Sequence, residues 1–326
     1  MSNTTIPLEP DRAQFLDGIR GWASLMVLFS HLAVFFLANS IQEFQPWIFG
    51  IMTDGNLAIF IFFVLSGFVL TIGYVQKGER EIIVALSLRR YLRLVIPVVC
   101  TCLLAYLVAQ NGLFFNREAG VLSKNTWLVE FYNFQTDILG CLKFATFGVF
   151  TYFDSAKSYN PVLWTMSIEL WGSFVVFSIA ALVLHLKRRA IILAMILLYL
   201  VLVNNIYYLP FVCGICISIS YKKLMDRYSK IIFFAAPFLL ALVVYYSCST
   251  LRGVLFGLSA MPRTDLLNIV AASILVLAGG THVGTRNFFQ NRLSRYLCSI
   301  SFPLYLTYLW CSVRSLVVRS INTVTK

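Results

Sequence analysis

The chain has 326 residues, 59% of them hydrophobic and 12% charged, with 26 Lys and Arg against 14 Asp and Glu for a formal net charge of +12. A water-soluble globular chain carries about 25% charged residues, and the mean hydropathy of +0.80 leaves too little polarity to coat a soluble particle. Ordinary numbers of Gly (18), Pro (9) and Cys (8) exclude collagenous, low-complexity and disulfide-scaffold classes, and the basic excess is expected in the cytoplasmic loops of a membrane protein rather than on a nucleic-acid surface.

Apolar runs fall at residues 18–37, 56–76, 94–109, 162–184, 190–203, 206–220, 231–247, 268–283 and 299–317. At 1.5 Å per helical residue each approaches or exceeds a ~30 Å hydrocarbon layer. They predict an all-α fold, a polytopic transmembrane helical bundle of about nine spans. No small-residue cleavage site accompanies the first run, so it reads as a retained helix rather than a signal. Lys77, Arg80, Arg89, Arg90 and Arg93 follow the second run, and Lys187, Arg188 and Arg189 follow the fourth. Lys222, Lys223, Arg227 and Lys230 form a third cluster, and Arg286, Arg292 and Arg295 a fourth. The positive-inside rule puts all four in the cytoplasm together with the N-terminus, as in a multi-pass protein of a plasma or inner membrane.

Residues 110–161 are then a long extracytoplasmic loop. Its stretch ILGCLKFATFGVFTYF, residues 138–153, is short and interrupted by Lys143 and two glycines. It reads as a re-entrant or interfacial element over the outer mouth; as a tenth span it would carry Lys187 to Arg189 outside. The C-terminal Arg314, Arg319 and Lys326 come out on the outer side, against the charge rule. No repeat or linker divides residues 1–326, which read as one membrane domain.

Ionisable residues inside spans are costly and mark candidate sites. In FLDGIRGWASLMVLFSH, Arg20 and His31 are separated by three helical turns plus about 20°, so they share a face about 16 Å apart along the axis. Asp17 lies on the same stripe, one turn from Arg20 and placed for an ion pair. His31 is positioned to accept a proton from a hydroxyl, or simply to hydrogen-bond within the bundle. Glu169, in NPVLWTMSIELWGSF, lies about 12 Å below Pro161 taken as the outer surface, a depth matching that of His31; a protonated carboxyl bonded to backbone is the alternative. Arg89, Arg90 and Arg93 suit phosphate or pyrophosphate, and equally anionic headgroups. Ser66 and Gly67 read as a close helix approach. Cys213 and Cys216 have no second pair at zinc spacing, so no metal is expected.

FLDGIRGWASLMVLFSH (15–31), FFVLSGF (62–68), Arg89 to Pro97, LWTMSIEL (163–170) and SISFPLYL (299–306) follow one another in an order that resembles the acyltransferase-3 family of integral membrane acyltransferases. The resemblance implies an enzyme that transfers an acyl group, commonly acetyl, from cytoplasmic acyl-CoA to a hydroxyl of an extracytoplasmic or lipid-linked acceptor, often a cell-surface sugar. It implies His31 and Glu169 as catalytic residues and Arg20, Arg89, Arg90 and Arg93 along the donor path and on the CoA phosphates, with Asp17, Trp164 and Ser167 supporting. No bound cofactor is implied; acyl-CoA is a substrate, and the other partners are the carbohydrate or lipid-linked acceptor and membrane lipids, not nucleic acid. Two positions depart from the family pattern. Tyr308 stands where a histidine is usual, and the sequence stops at Lys326 where relatives continue through one more span, so a bundle lacking its last helix is expected. The rival expectations are a transporter or flippase using His31 and Glu169 as a proton relay, and a shortened, non-catalytic member. Acceptor choice is expected in the outer loop, through Trp127, Tyr132, Tyr152 and Tyr159.

Overall fold

The computed structural model describes residues 10–32, 52–122, 129–221, 264–281 and 283–301. The expected span at 231–247, Trp127 and Tyr308 lie outside them. Within the described residues the regular structure is entirely helical: α1 (Pro10–Ser30), α2 (Gly55–Lys77), α3 (Arg80–Gln110), α4 (Asn116–Leu122), α5 (Ile138–Thr151), α6 (Trp164–Leu182), α7 (Arg189–Leu202), α8 (Leu209–Tyr221), α9 (Thr264–Thr281), α10 (Val283–Gln290) and α11 (292–301).

Three segments are long and apolar enough to cross a membrane, namely α2, α3 and Pro161–Leu182. A fourth is added if α9 and α10, bent by 92° at their junction, count as one. Nine spans are thus more than the described helices supply. The runs at 190–203 and 206–220 form α7 and α8, separated at Asn204, whose φ of 57° is left-handed. A helix of 14 residues such as α7 is about 21 Å long, shorter than the hydrocarbon layer. In α1, Asp17 and Arg20 interrupt the apolar run.

The described residues pack as two units. The first holds 10–27, 52–88, 171–221, 264–281 and 283–301. Its centre is α2, capped by Asp54, whose carboxylate accepts the Leu57 N–H at 2.9 Å and the Asn268 amide of α9 at 3.1 Å. The helix ends at Gly78, in the left-handed region at φ 74°, where the Gly78 N–H returns to the Tyr74 carbonyl. Against α2 lies α8. A Cβ on Gly67 would sit 2.1 Å from the Phe211 carbonyl oxygen, and one on Gly214 would sit 2.2 Å from that of Val64. Only hydrogens fit between these backbones. One turn on, the Thr71 and Ser218 hydroxyls hydrogen-bond at 2.8 Å. α1 is fixed to α10 and α11 by Trp22, whose indole N–H donates to Ser294 Oγ at 3.0 Å while its ring stacks on Phe288.

The second unit holds 28–32, 89–122 and 129–170. Its core joins Leu94, Val95, Val98, Cys102 and Ala105 of α3 to Cys141, Ala145 and Val149 of α5 and to Leu163, Met166 and Leu170 at the start of α6. The spacings of three and four put each set on one face of its helix. Gln110 donates to the Thr136 carbonyl at 3.1 Å, and the Tyr91 hydroxyl donates to the Thr146 carbonyl at 2.6 Å. Two contacts so far apart on α3 make α5 run antiparallel along it. The segment expected as a re-entrant or interfacial element therefore packs along α3, with a π-helical turn at Phe144–Gly148, and then doubles back. On the return, the Tyr159 hydroxyl accepts from the Asp137 N–H at 3.2 Å and donates to the Asp137 carbonyl at 3.0 Å.

α3 also bears an exposed apolar row. Val84, Leu88, Leu92 and Ile96 follow at intervals of four, and Leu104 and Leu107 continue it. From Val84 to Leu107 it runs about 35 Å, close to the thickness of a hydrocarbon layer.

Candidate active site

The Asn-Pro pair before α6 is buried, and Asn160 organises it. Its side chain accepts the Val162 N–H at 3.3 Å and donates to Thr101 Oγ1 at 3.2 Å. This bond fixes the register of α6 against α3. Thr101 lies about 14 Å short of the Gln110 end of α3, so α6 begins well inside the unit rather than at its edge. Running antiparallel from there, Glu169 arrives beside Arg90, and the two form an ion pair. The steps agree: eleven residues from Thr101 to Arg90 and nine from Asn160 to Glu169 differ by about 3 Å, within side-chain reach.

In this register Pro161, taken as a surface residue in the sequence reading, is buried. Glu169 stands about 30 Å from the Gln110 end of α3, level with Arg90. It also gives Arg90 a partner that the sequence reading had not assigned to it. Arg90 was expected on the CoA phosphates, whereas in the structure its guanidinium engages Glu169, with each side chain only 14% exposed. Arg89 and Arg93 on the same helix are exposed.

His31 belongs to the same unit as Glu169 and Arg90. It is partly buried, its Nδ1 is shielded from solvent, and it stands where α1 changes to a π-helical turn at residues 31–32. Such turns are frequent at functional positions because they redirect a side chain. Trp164 and Ser167 lie five and two residues before Glu169, with Ser167 Oγ donating to the Trp164 carbonyl at 3.4 Å. Arg20 and Asp17 belong to the first unit and form the ion pair their spacing predicts, at 3.2 Å.

Of the loop aromatics, Tyr132 stacks on Phe114 with ring centroids 3.8 Å apart and donates its hydroxyl to the Tyr159 carbonyl at 3.0 Å. Tyr159 is held by Asp137. Tyr152 is 67% exposed. Sequence reasoning missed Asn160, Thr101 and Tyr91, which set the helix register. The Asn-Pro dipeptide before an apolar run was the available signal, since it favours the start of a turn.

Among the described residues the structure is entirely helical, and three helices are long and apolar enough to cross a membrane, which points to the class of helical membrane proteins. The acyltransferase-3 family model, an acyltransferase domain, matches residues 13–311, and the chain belongs to that family. No curated protein and no solved structure matches it.

Proposed function

We propose that the chain is a membrane O-acyltransferase that moves an acyl group, acetyl in the simplest case, from cytoplasmic acyl-CoA to a hydroxyl of an extracytoplasmic or lipid-linked acceptor such as a cell-surface sugar. The observation that carries the reading is the acyltransferase match over residues 13–311, which includes every residue given a role here. His31 takes the proton of the acceptor hydroxyl as its oxygen attacks the thioester carbonyl carbon. The C–S bond then breaks, and the departing CoA sulfur receives the proton. Acyl-His formation followed by transfer is the other balanced route.

The Arg90–Glu169 pair refines the arginine roles. Glu169, neutralised by Arg90, is a fixed carboxylate that orients the reacting centre. Arg89 and Arg93 are left for the CoA phosphates, which guanidinium groups bind by paired hydrogen bonds. Arg20 lines the donor path, held by Asp17. The N-terminus is cytoplasmic in this reading, so the basic end of α3 faces the donor pool.

The test is transfer of label from radiolabelled acetyl-CoA by the purified protein in lipid nanodiscs. Wild type should release CoA and label an acceptor, and His31→Ala should abolish both while inserting normally. Proton-coupled movement of substrate without thioester cleavage would support a transporter instead, and donor binding without turnover a non-catalytic member.

A further inference from the structure

Between α5 and the segment that doubles back over it lies a cavity of about 370 Å³, within the size range of small-molecule sites. Its charged lining is balanced, the carboxylates of Asp137 and Asp154 against the ammonium groups of Lys143 and Lys157. Among the described residues no ion pair joins any of these four to another. Opposite charges that share a cavity without neutralising each other suit a ligand that brings both signs. A simple anion would meet both carboxylates there, and a simple cation both lysines.

The carboxylates are held in place. Asp137 Oδ1 accepts the Gly140 N–H at 2.7 Å, and Asp154 Oδ1 accepts the Ala156 N–H at 3.0 Å, so each is fixed through one oxygen and offers the other to a donor. Phe147 and Tyr152 meet edge to face in the cavity wall with centroids 6.5 Å apart, and ring faces add attraction for an ammonium group. Beside the cavity α5 turns an apolar strip outward: Ile138, Leu139 and Leu142 are 43%, 75% and 37% exposed. Leu139 and Leu142 each precede a lining residue, Gly140 and Lys143. A ligand whose charged part fills the cavity can therefore lay a hydrocarbon tail along this strip.

We infer that the cavity holds the headgroup of a phosphatidylethanolamine, its phosphate on Lys143 and Lys157, its ammonium on Asp137 and Asp154, and an acyl chain along Ile138, Leu139 and Leu142. A primary ammonium has three N–H donors to give to carboxylates and a trimethylammonium has none, which favours ethanolamine over choline. The lipid is neither donor nor acceptor of the acyl group, and its site stands or falls independently of the transferase reading.

The experiment is native mass spectrometry of the delipidated full-length protein in detergent, titrated with the dioleoyl forms of phosphatidylethanolamine, phosphatidylcholine and phosphatidylglycerol. The ethanolamine lipid should bind first, about tenfold more tightly than either of the others. Asp137→Asn with Asp154→Asn keeps a side-chain oxygen at both capping positions and should erase the preference over the choline lipid. Lys143→Gln with Lys157→Gln should weaken binding of the ethanolamine lipid by about tenfold. Soluble phosphoethanolamine, the same headgroup without tails, should compete only at concentrations about a hundredfold higher than the lipid. No retained lipid, equal or tighter binding of the choline or glycerol lipid, unchanged binding in either paired variant, or competition by phosphoethanolamine at the lipid's own concentration would overturn the inference.

Discussion

Arg90 and Glu169 are 79 positions apart in sequence, and each has surrendered most of its hydration to meet the other. Removing one member of such a pair strands a charge in a poorly solvated place, whereas removing both leaves nothing to solvate. Arg90→Met or Glu169→Met alone should therefore cost about 3 to 5 kcal/mol, and the double variant should recover most of that loss. Thermal unfolding of the four proteins in one detergent gives the coupling. Additive losses would mean that the contact is not energetically real. Both charges were visible in the sequence, Glu169 as a carboxylate inside an apolar run and Arg90 within a basic cluster. Their partnership was not, since it depends on α6 starting level with Thr101, a fact set by one buried asparagine and by no periodicity in either helix. The Asp17–Arg20 pair was legible because it is local and follows from helical spacing alone.

At the level of the element, the tightest constraint is the α2–α8 contact. The Ser66–Gly67 interruption of a bulky helix was readable as a place where another helix comes close, and Gly67 occupies that place. Its counterpart Gly214 sits between Cys213 and Ile215, where nothing in the sequence singled it out, because a small residue in an apolar run has many uses. Backbone atoms lie in the path of any side chain at either position, and backbone cannot swing aside as a side chain can. Gly67→Ala and Gly214→Ala should each destabilise the first unit by about 3 kcal/mol or separate the helices, the upper end of overpacking costs. Disulfide trapping between cysteines placed at Thr71 and Ser218, efficient in the parent and poor in the alanine variants, would report the separation. Efficient trapping in all would show that the contact yields without cost.

For the whole molecule, composition sufficed to predict helices and apolar length sufficed to find α2, α3 and the segment ending at Leu182. Of the other apolar runs, those at 190–203 and 206–220 form helices of fewer than 18 residues, and the one at 231–247 lies outside the described residues. The folding of α5 back along α3 shows apolar sequence used for packing, whereas α7 buries Leu193 and leaves Ile191, Met195, Leu198 and Leu202 exposed. The five ordered stretches carried the family assignment, while the packing around α5 was hidden, since it arises from a non-helical segment doubling back over that helix.

The exposed apolar row of α3 carries one more consequence. Arg89 and Arg93 are sequence neighbours of Leu88 and Leu92 in that row, so when no CoA occupies them a bilayer on that face would draw their guanidinium groups toward phosphate headgroups past acyl chains. A leaflet meeting them there is drawn thinner, and the strain grows with lipid tail length. The protein should accordingly melt at a higher temperature in myristoyl-chain bilayers than in eicosenoyl-chain bilayers, and Arg89→Leu with Arg93→Leu should flatten that difference. The protein's surroundings would then be selected by thickness as well as by headgroup.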